Sequence, residues 1–400
     1  MAGIYIHIPF CRSRCIYCDF FSTTLPPSWH QPYVEALERE LDLRASELAA
    51  LVTASAPAPL TLYLGGGTPS LLSPALLSRL LSAVCQYAAS TSRTCRHLMP
   101  VSSPFSEITI EANPDDVTPE WVDALRSTPV NRISMGVQSL NDNILRTLRR
   151  RHTARQARHA VSLLRDAGYT NLSLDLIYGL PGQTLAMFEH DVQELLDLGI
   201  PHLSAYALQF EPGTPLTRLR DQGILREADE ELSLACYQRL IDLTASAGLE
   251  HYEISNFARP GFRSRHNSSY WTESPYLGLG ASAHSYSPSS CIRSFNCENI
   301  QEYIRVLNEG RLPSTTESLT PTDRYNERIM LRLRTCEGLS LTALARDFGE
   351  ERLAYCRRMA APHLRRGTLE LVQTEMGETL RLTRQGLFVS DDILSDLMII

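Results

Sequence analysis

The chain has no apolar run approaching the ~20 residues that a membrane-spanning helix needs. It shows no signal-peptide pattern and opens straight into an apolar strand-like segment, GIYIHIP. Positive charge is not in excess, and a net charge of −7 argues against a general nucleic-acid binder. Ten cysteines are present, yet no second Cys/His pair completes a structural zinc site. These absences point to a reducing compartment, the cytoplasm, with any peripheral membrane contact made through a surface or a partner.

Four hundred residues with 43% hydrophobic and 21% charged content describe a globular protein of two or three domains with a large core. From residue 4 to about 250, short β-rich runs alternate with helical stretches, the form of repeated βα units and a parallel sheet. The strands are expected at Ile4–Ile8, Leu60–Leu64, Glu107–Glu111, Arg132–Val137, Asn171–Ile177 and His202–Leu208. Helices are expected at 32–54, 73–90, 118–126, 153–167, 184–198 and 228–247. Six units are too few for an eight-stranded barrel, so the fold class is α/β with an open, partial (β/α)6 barrel over 1–249. The polar stretch from Ser90 to Ser106 reads as a surface insertion. Residues 250–312 read as a connecting segment, and 313–400 as a smaller α+β domain. In that domain three helices precede a two-strand hairpin, the order of a winged-helix module, and the acidic composition favours a packing or lid role over DNA binding.

The most informative feature is Cys11, Cys15 and Cys18 in the run HIPFCRSRCIYCDFF. Three thiolates so spaced can hold three irons of a [4Fe–4S] cluster and leave the fourth iron without a protein ligand. That open position matters, because an iron with a vacancy can bind and reduce a small molecule. Zinc, a disulfide or three buried thiols are the alternatives. The C-x3-C-x2-C spacing resembles the signature of the radical S-adenosylmethionine (SAM) superfamily, in which SAM chelates the open iron and serves as radical precursor. The resemblance places Tyr17 against the adenine ring.

Further motifs fall at the expected C-terminal ends of strands, where barrels of βα units build their sites. Gly65-Gly66-Gly67-Thr68-Pro69 follows LTLYL, and its glycines let backbone groups approach a ligand closely. Glu111 ends EITIE ahead of Ala112-Asn113-Pro114, and Gln138 closes RISMGVQ. Asp175 is a carboxylate inside the apolar run LSLDLIYGLP and needs a partner. Arg150 stands out of the basic run 148–152, whose Arg149 and Arg151 read as a solvated face. Tyr5 and His7 share one face of the first strand. By resemblance, Gly66, Gly67 and Thr68 hold the methionine amino group, and Tyr5, Glu111, Gln138, Arg150 and Asp175 complete the SAM pocket. His7 carries no chemistry in this reading.

HIPFCxxxCxYCDF, GGGTPS, ExNP, RISxGVQS, DLIYGLP and YEISNFA occur in order over most of residues 1–290. Together they resemble the oxygen-independent coproporphyrinogen III oxidase family, which contains both a decarboxylase and a heme-chaperone branch. Two features separate the branches. The oxidase carries a further cysteine where this chain has Phe20, and an N-terminal extension where this chain opens on its first strand. His266-Asn267-Ser268-Ser269-Tyr270-Trp271 matches the HNxxYW motif of the chaperone branch. The resemblance therefore implies a heme-binding protein with a [4Fe–4S] cluster and SAM, an electron donor, and heme-accepting partners such as respiratory cytochromes. It also implies His266 as the heme ligand, from a loop with Tyr270 and Trp271 as an apolar wall. The oxidative decarboxylase is the alternative.

Overall fold

A computed structural model describes residues 2–55, 58–91, 104–375 and 377–400. Most of the stretch expected as an insertion lies outside the described residues; its ends belong to the helix Pro74–Thr91 and to the strand that begins at Phe105. Six strands run parallel in chain order: β1 (Gly3–Ile8), β2 (Leu60–Gly66), β3 (Phe105–Ala112), β4 (Arg132–Gln138), β5 (Leu172–Tyr178) and β6 (His202–Ala207). Each pairs with the next, as repeated βα units require.

The strands have two chemically different faces because side chains alternate with period two. Ile4, Ile6, Ile8, Leu62, Leu64, Ile108, Ile110, Ile133, Met135, Leu174 and Leu203 are buried in one apolar core. Each such side chain, fully buried, stabilises the fold by about 1.5–3 kcal/mol before entropy is counted. The intervening positions, Tyr63, Glu111, Ser134, Asp175 and Ser204, line a single cavity. Polar residues from five adjacent strands meet in one space only if the sheet curves around it, which makes this a partial barrel.

The barrel stays open because both edges are occupied. β7 (Glu250–Glu253) and β8 (Asn256–Ala258) add antiparallel strands beside β6. β9 (Tyr276–Leu279) pairs parallel to β1, and β10 (His284–Ser287), β11 (Ile292–Asn296) and β12 (Ser314–Ser318) extend the sheet to twelve strands. The segment 250–312 is thus part of the sheet rather than a connection, and the sheet ends after β12, beyond residue 313. Buried Glu40 ties this extension to the helix His30–Leu43. Its carboxylate accepts from Gly280 N at 2.8 Å, Asn296 Nδ2 at 2.7 Å and the Tyr303 hydroxyl, and pairs with Arg44 at 3.4 Å. The expected helix 32–54 is divided there into His30–Leu43 and Ala45–Ser55.

A second, smaller core built on Tyr325, Ile329, Leu333, Leu344, Cys356, Leu380 and Leu394 closes the C-terminal domain. Helices Pro321–Leu333, Leu341–Phe348 and Glu350–Arg366 precede the hairpin of β14 (Leu369–Thr374) and β15 (Gly377–Leu382), and a short β13 (Leu339–Ser340) between the first two helices joins it in the separate sheet β13-β15-β14. Among the described residues, no helix is long and apolar enough to cross a membrane.

Candidate functional site

The cavity, of about 750 Å³, runs along the inside of the barrel from the cysteine loop at the C-terminal ends of the strands to Arg132, His202, Ser264 and Asn267. The loop after β1 brings the three thiols to its mouth. Thr23 N donates to Pro9 O at 2.7 Å and Cys11 N to Thr23 O at 2.8 Å, closing the loop at its base. His7 Nε2 bonds Phe21 O at 2.8 Å, which gives this histidine the structural part expected of it. Buried Ile16 anchors the middle of the loop. Cys11, Cys15 and Cys18 all face the cavity.

A chain of hydrogen bonds surrounds the thiols. Thr68 Oγ1 lies 3.5 Å from Cys11 Sγ and accepts from Asn113 Nδ2 at 3.1 Å. Arg150 donates from Nη2 to Asn113 Oδ1 and to Gly136 O, both at 2.6 Å, and from Nη1 to Cys15 Sγ at 3.3 Å. The chain contains no lysine, so every side-chain ammonium or guanidinium charge around the cavity is an arginine. Burial pushes the Cys18 thiol up to about 11 and raises that of Cys11. Thiols held neutral by burial become good ligands once a cation replaces the proton.

Glu111 enters from β3. It accepts from the Tyr63 hydroxyl at 2.8 Å on one oxygen and from Gly66 N at 3.0 Å on the other. The glycine turn is sterically required: a Cβ on Gly67 would stand 2.7 Å from the carbonyl carbon of Pro9, and Gly66 has a φ of +109°. Gln138 ends β4 at φ 67°, a left-handed backbone unusual outside glycine, beside a register shift against β5. A Cβ on Gly136 would lie 2.8 Å from Gln138 Nε2 and 3.3 Å from Arg150 Nη2. Asp175 faces the same space with Oδ1 buried and unpartnered. Burial, and secondly the Glu111 charge, push its carboxyl up to about 7.

Of the residues expected at a SAM pocket, Tyr17, Gly66, Gly67, Thr68, Glu111, Gln138, Arg150 and Asp175 line the cavity together with the cysteines. Tyr5 does not; it stacks on Tyr63 at 6.1 Å and bonds His7 Nδ1 at 3.1 Å. Arg151 corrects its reading as a solvated residue, since it pairs with Asp115 at 2.9 Å and Asp116 at 3.2 Å. Sequence reasoning passed over Asn113 and Tyr63. Asn113 stood inside the quoted Glu-Ala-Asn-Pro, and Tyr63 was signalled by alternation with Leu62 and Leu64.

The setting of His266 differs from the expected loop. The residue lies in a helix, Arg265–Trp271, rather than a loop, and is only 1% exposed. Nδ1 bonds Thr61 Oγ1 at 3.0 Å and Nε2 bonds the Tyr270 hydroxyl at 2.8 Å. Thr61, the second residue of β2, and its neighbour Gly3, the first of β1, place the ring at the opposite end of the strands from the thiols.

The donor set suits a cluster with SAM. Three thiols share one space, and Asp175 presents an unpartnered carboxylate oxygen to it. Among the described residues, no three His, Cys, Asp or Glu side chains converge on a single metal ion. A cluster of four irons spreads its thiolates more widely than one ion does.

An open barrel of parallel βα units with three thiols and a polar cavity at the strand ends defines a radical SAM protein. The Radical SAM superfamily model matches residues 5–195, and that of the HemN C-terminal domain matches 319–389. The heme chaperone HemW of Lactococcus lactis is 35% identical over 345 residues, covering 86% of this chain and 84% of that protein. Those of Bacillus subtilis and Escherichia coli are 34% and 31% identical, covering 87% and 98% of this chain and 87% and 97% of theirs. The chain belongs to the HemW family. Its fold is that of Escherichia coli coproporphyrinogen III oxidase (HemN), a radical SAM enzyme, with a TM-score of 0.78 over 99% of this chain and 90% of that one at 23% identity.

Proposed function

We propose that this protein is a heme chaperone that holds a [4Fe–4S] cluster on Cys11, Cys15 and Cys18, binds SAM beside it, and delivers heme to heme-dependent proteins. The observation that carries the reading is kinship along nearly the whole chain with proteins named heme chaperones, at 31–35% identity. A local feature agrees with it: Phe20, at the position of the oxidase's further cysteine, is 66% exposed at the cavity rim and offers no sulfur.

Thr68 and Arg150 orient toward two of the thiols, and Gly66, Gly67, Glu111, Gln138 and Asp175 offer backbone, amide and carboxylate partners to the amino and hydroxyl groups of SAM. Tyr17 packs among Ile144, Leu148, Ile177 and Leu180 at the cavity edge, an apolar setting for adenine. A cluster held here supplies single-electron chemistry, drawing on a reduced carrier. The recipients are heme-accepting proteins of the respiratory-cytochrome kind.

Anaerobic titration of the cluster-loaded protein with heme tests the reading. A saturable Soret change, followed by transfer of that heme to an apo-cytochrome, is the expected result. Absence of heme binding together with decarboxylation of coproporphyrinogen III would replace the chaperone with the oxidase.

A further inference from the structure

We propose that His266 is a positioning residue of the SAM pocket, acting through Tyr63 on the Glu111 carboxylate, and is not a ligand of heme iron. The inference rests on reading the cavity as the SAM site.

The imidazole sits in a built slot. Gly3 leaves the space: a Cβ there would stand 3.0 Å from His266 Cε1. Thr61 and Tyr270 bond the two ring nitrogens, which suits a neutral imidazole with one donor and one acceptor. Burial lowers the His266 pKa to about 3, so the ring stays neutral throughout the physiological range. To ligate iron the ring would have to break one of these bonds and leave the sheet, stranding a buried hydroxyl.

From this slot a continuous path leads to the cavity. The His266 ring packs against that of Tyr63, with centroids 5.2 Å apart and planes inclined by 30°. Tyr5 stacks on the same ring at 6.1 Å. Held by both neighbours, the Tyr63 hydroxyl meets Glu111 Oε1 at 2.8 Å, while Gly66 N holds Oε2 at 3.0 Å. Along β2 the order is Thr61, Tyr63, Gly65, one inward position after another, so His266 supports the row from below and Glu111 closes it above. Removing the imidazole opens a void beneath Tyr63 and lets its ring settle away from the carboxylate.

The helix carrying His266 is held independently of that side chain. Arg265 N and His266 N donate to Glu107 at 3.1 and 2.9 Å, Ser264 Oγ accepts from Asn267 N at 3.2 Å, and Arg334 stacks over Trp271 at 5.3 Å. A side-chain substitution can therefore be read without removing the helix.

The experiment compares wild type, His266→Ala, His266→Gln, Tyr63→Phe and the double variant His266→Ala/Tyr63→Phe, each reconstituted anaerobically. Iron and sulfide content, SAM affinity from the EPR change of the reduced cluster, and heme affinity with its Soret position are measured. His266→Ala and Tyr63→Phe should each weaken SAM about tenfold, the usual worth of one hydrogen bond to a charged group. The double variant should lose no more than the worse single one, cluster content and heme spectrum should be unchanged, and His266→Gln should recover most of the affinity. Unchanged SAM affinity in His266→Ala, additive losses, or a shifted Soret band with SAM binding intact would each overturn the inference. Should His266→Ala not fold, Tyr63→Phe decides: wild-type SAM affinity in that variant overturns it. Wild-type protein that takes up cluster but no SAM would instead overturn the reading of the cavity.

Discussion

Asn113 is held from both sides: Arg150 Nη2 donates to its Oδ1 at 2.6 Å, and its own Nδ2 donates to Thr68 Oγ1 at 3.1 Å. Through this one amide, the arginine near Cys15 and the hydroxyl near Cys11 are fixed relative to each other. Asn113→Ala should therefore weaken SAM binding by roughly 1–3 kcal/mol and couple non-additively to Arg150→Ala. A double-mutant cycle in which the two losses simply add would refute the linkage.

The three cysteines should act as a unit. Anaerobic reconstitution is expected to give about four irons and four sulfides per chain, and any single Cys11, Cys15 or Cys18→Ala change should abolish stable uptake. Stoichiometric zinc, or a cluster persisting after all three are removed, would contradict this.

Asp175 gives the cofactor-free protein a pH dependence. Its folded pKa of about 7 lies above that of an unfolded aspartate, so between about pH 4 and 7 the folded state binds more protons than the unfolded one. Stability from this group is present at the acid end and is lost as pH rises through that window. Urea unfolding at several pH values should show a flatter profile for Asp175→Asn than for wild type; parallel profiles would exclude the effect.

Gly67→Ala tests the glycine turn. Its Cβ would press on Pro9 backbone, which cannot turn aside as a side chain can. The expected cost is about 1–3 kcal/mol of stability, read by thermal melting, with SAM affinity reduced as the turn is displaced. Normal melting and normal SAM binding would show that the turn has slack.

Coproporphyrinogen III should not be decarboxylated by this protein with SAM and a competent reductant under anaerobic conditions. Phe20 puts a hydrocarbon ring at the cavity rim where the oxidase has a thiol. Product formation over many turnovers would reverse the choice between the two branches.

Features set by short-range chemistry were legible before any coordinates. The cysteine spacing, the glycine turn and the six strands all follow from residues near one another, and strand ends fell within a few residues of those observed. Short helices were missed for a physical reason: Asp142–Thr147, Pro215–Asp221 and Arg265–Trp271 span too few residues to show a helical period. Partner choice over long separations was not legible either. Nothing near Arg151 in the chain says that Asp115 and Asp116 await it, and nothing near residue 276 says that β9 will pair with β1. His266 shows the division most clearly. The sequence by itself determined that an imidazole stands two residues after a serine, with a tyrosine four residues on. Only the tertiary structure decided that Gly3 and Thr61, more than two hundred residues earlier, form the slot that turns that imidazole inward, because buried nitrogens bond whatever hydroxyls the packed strands present.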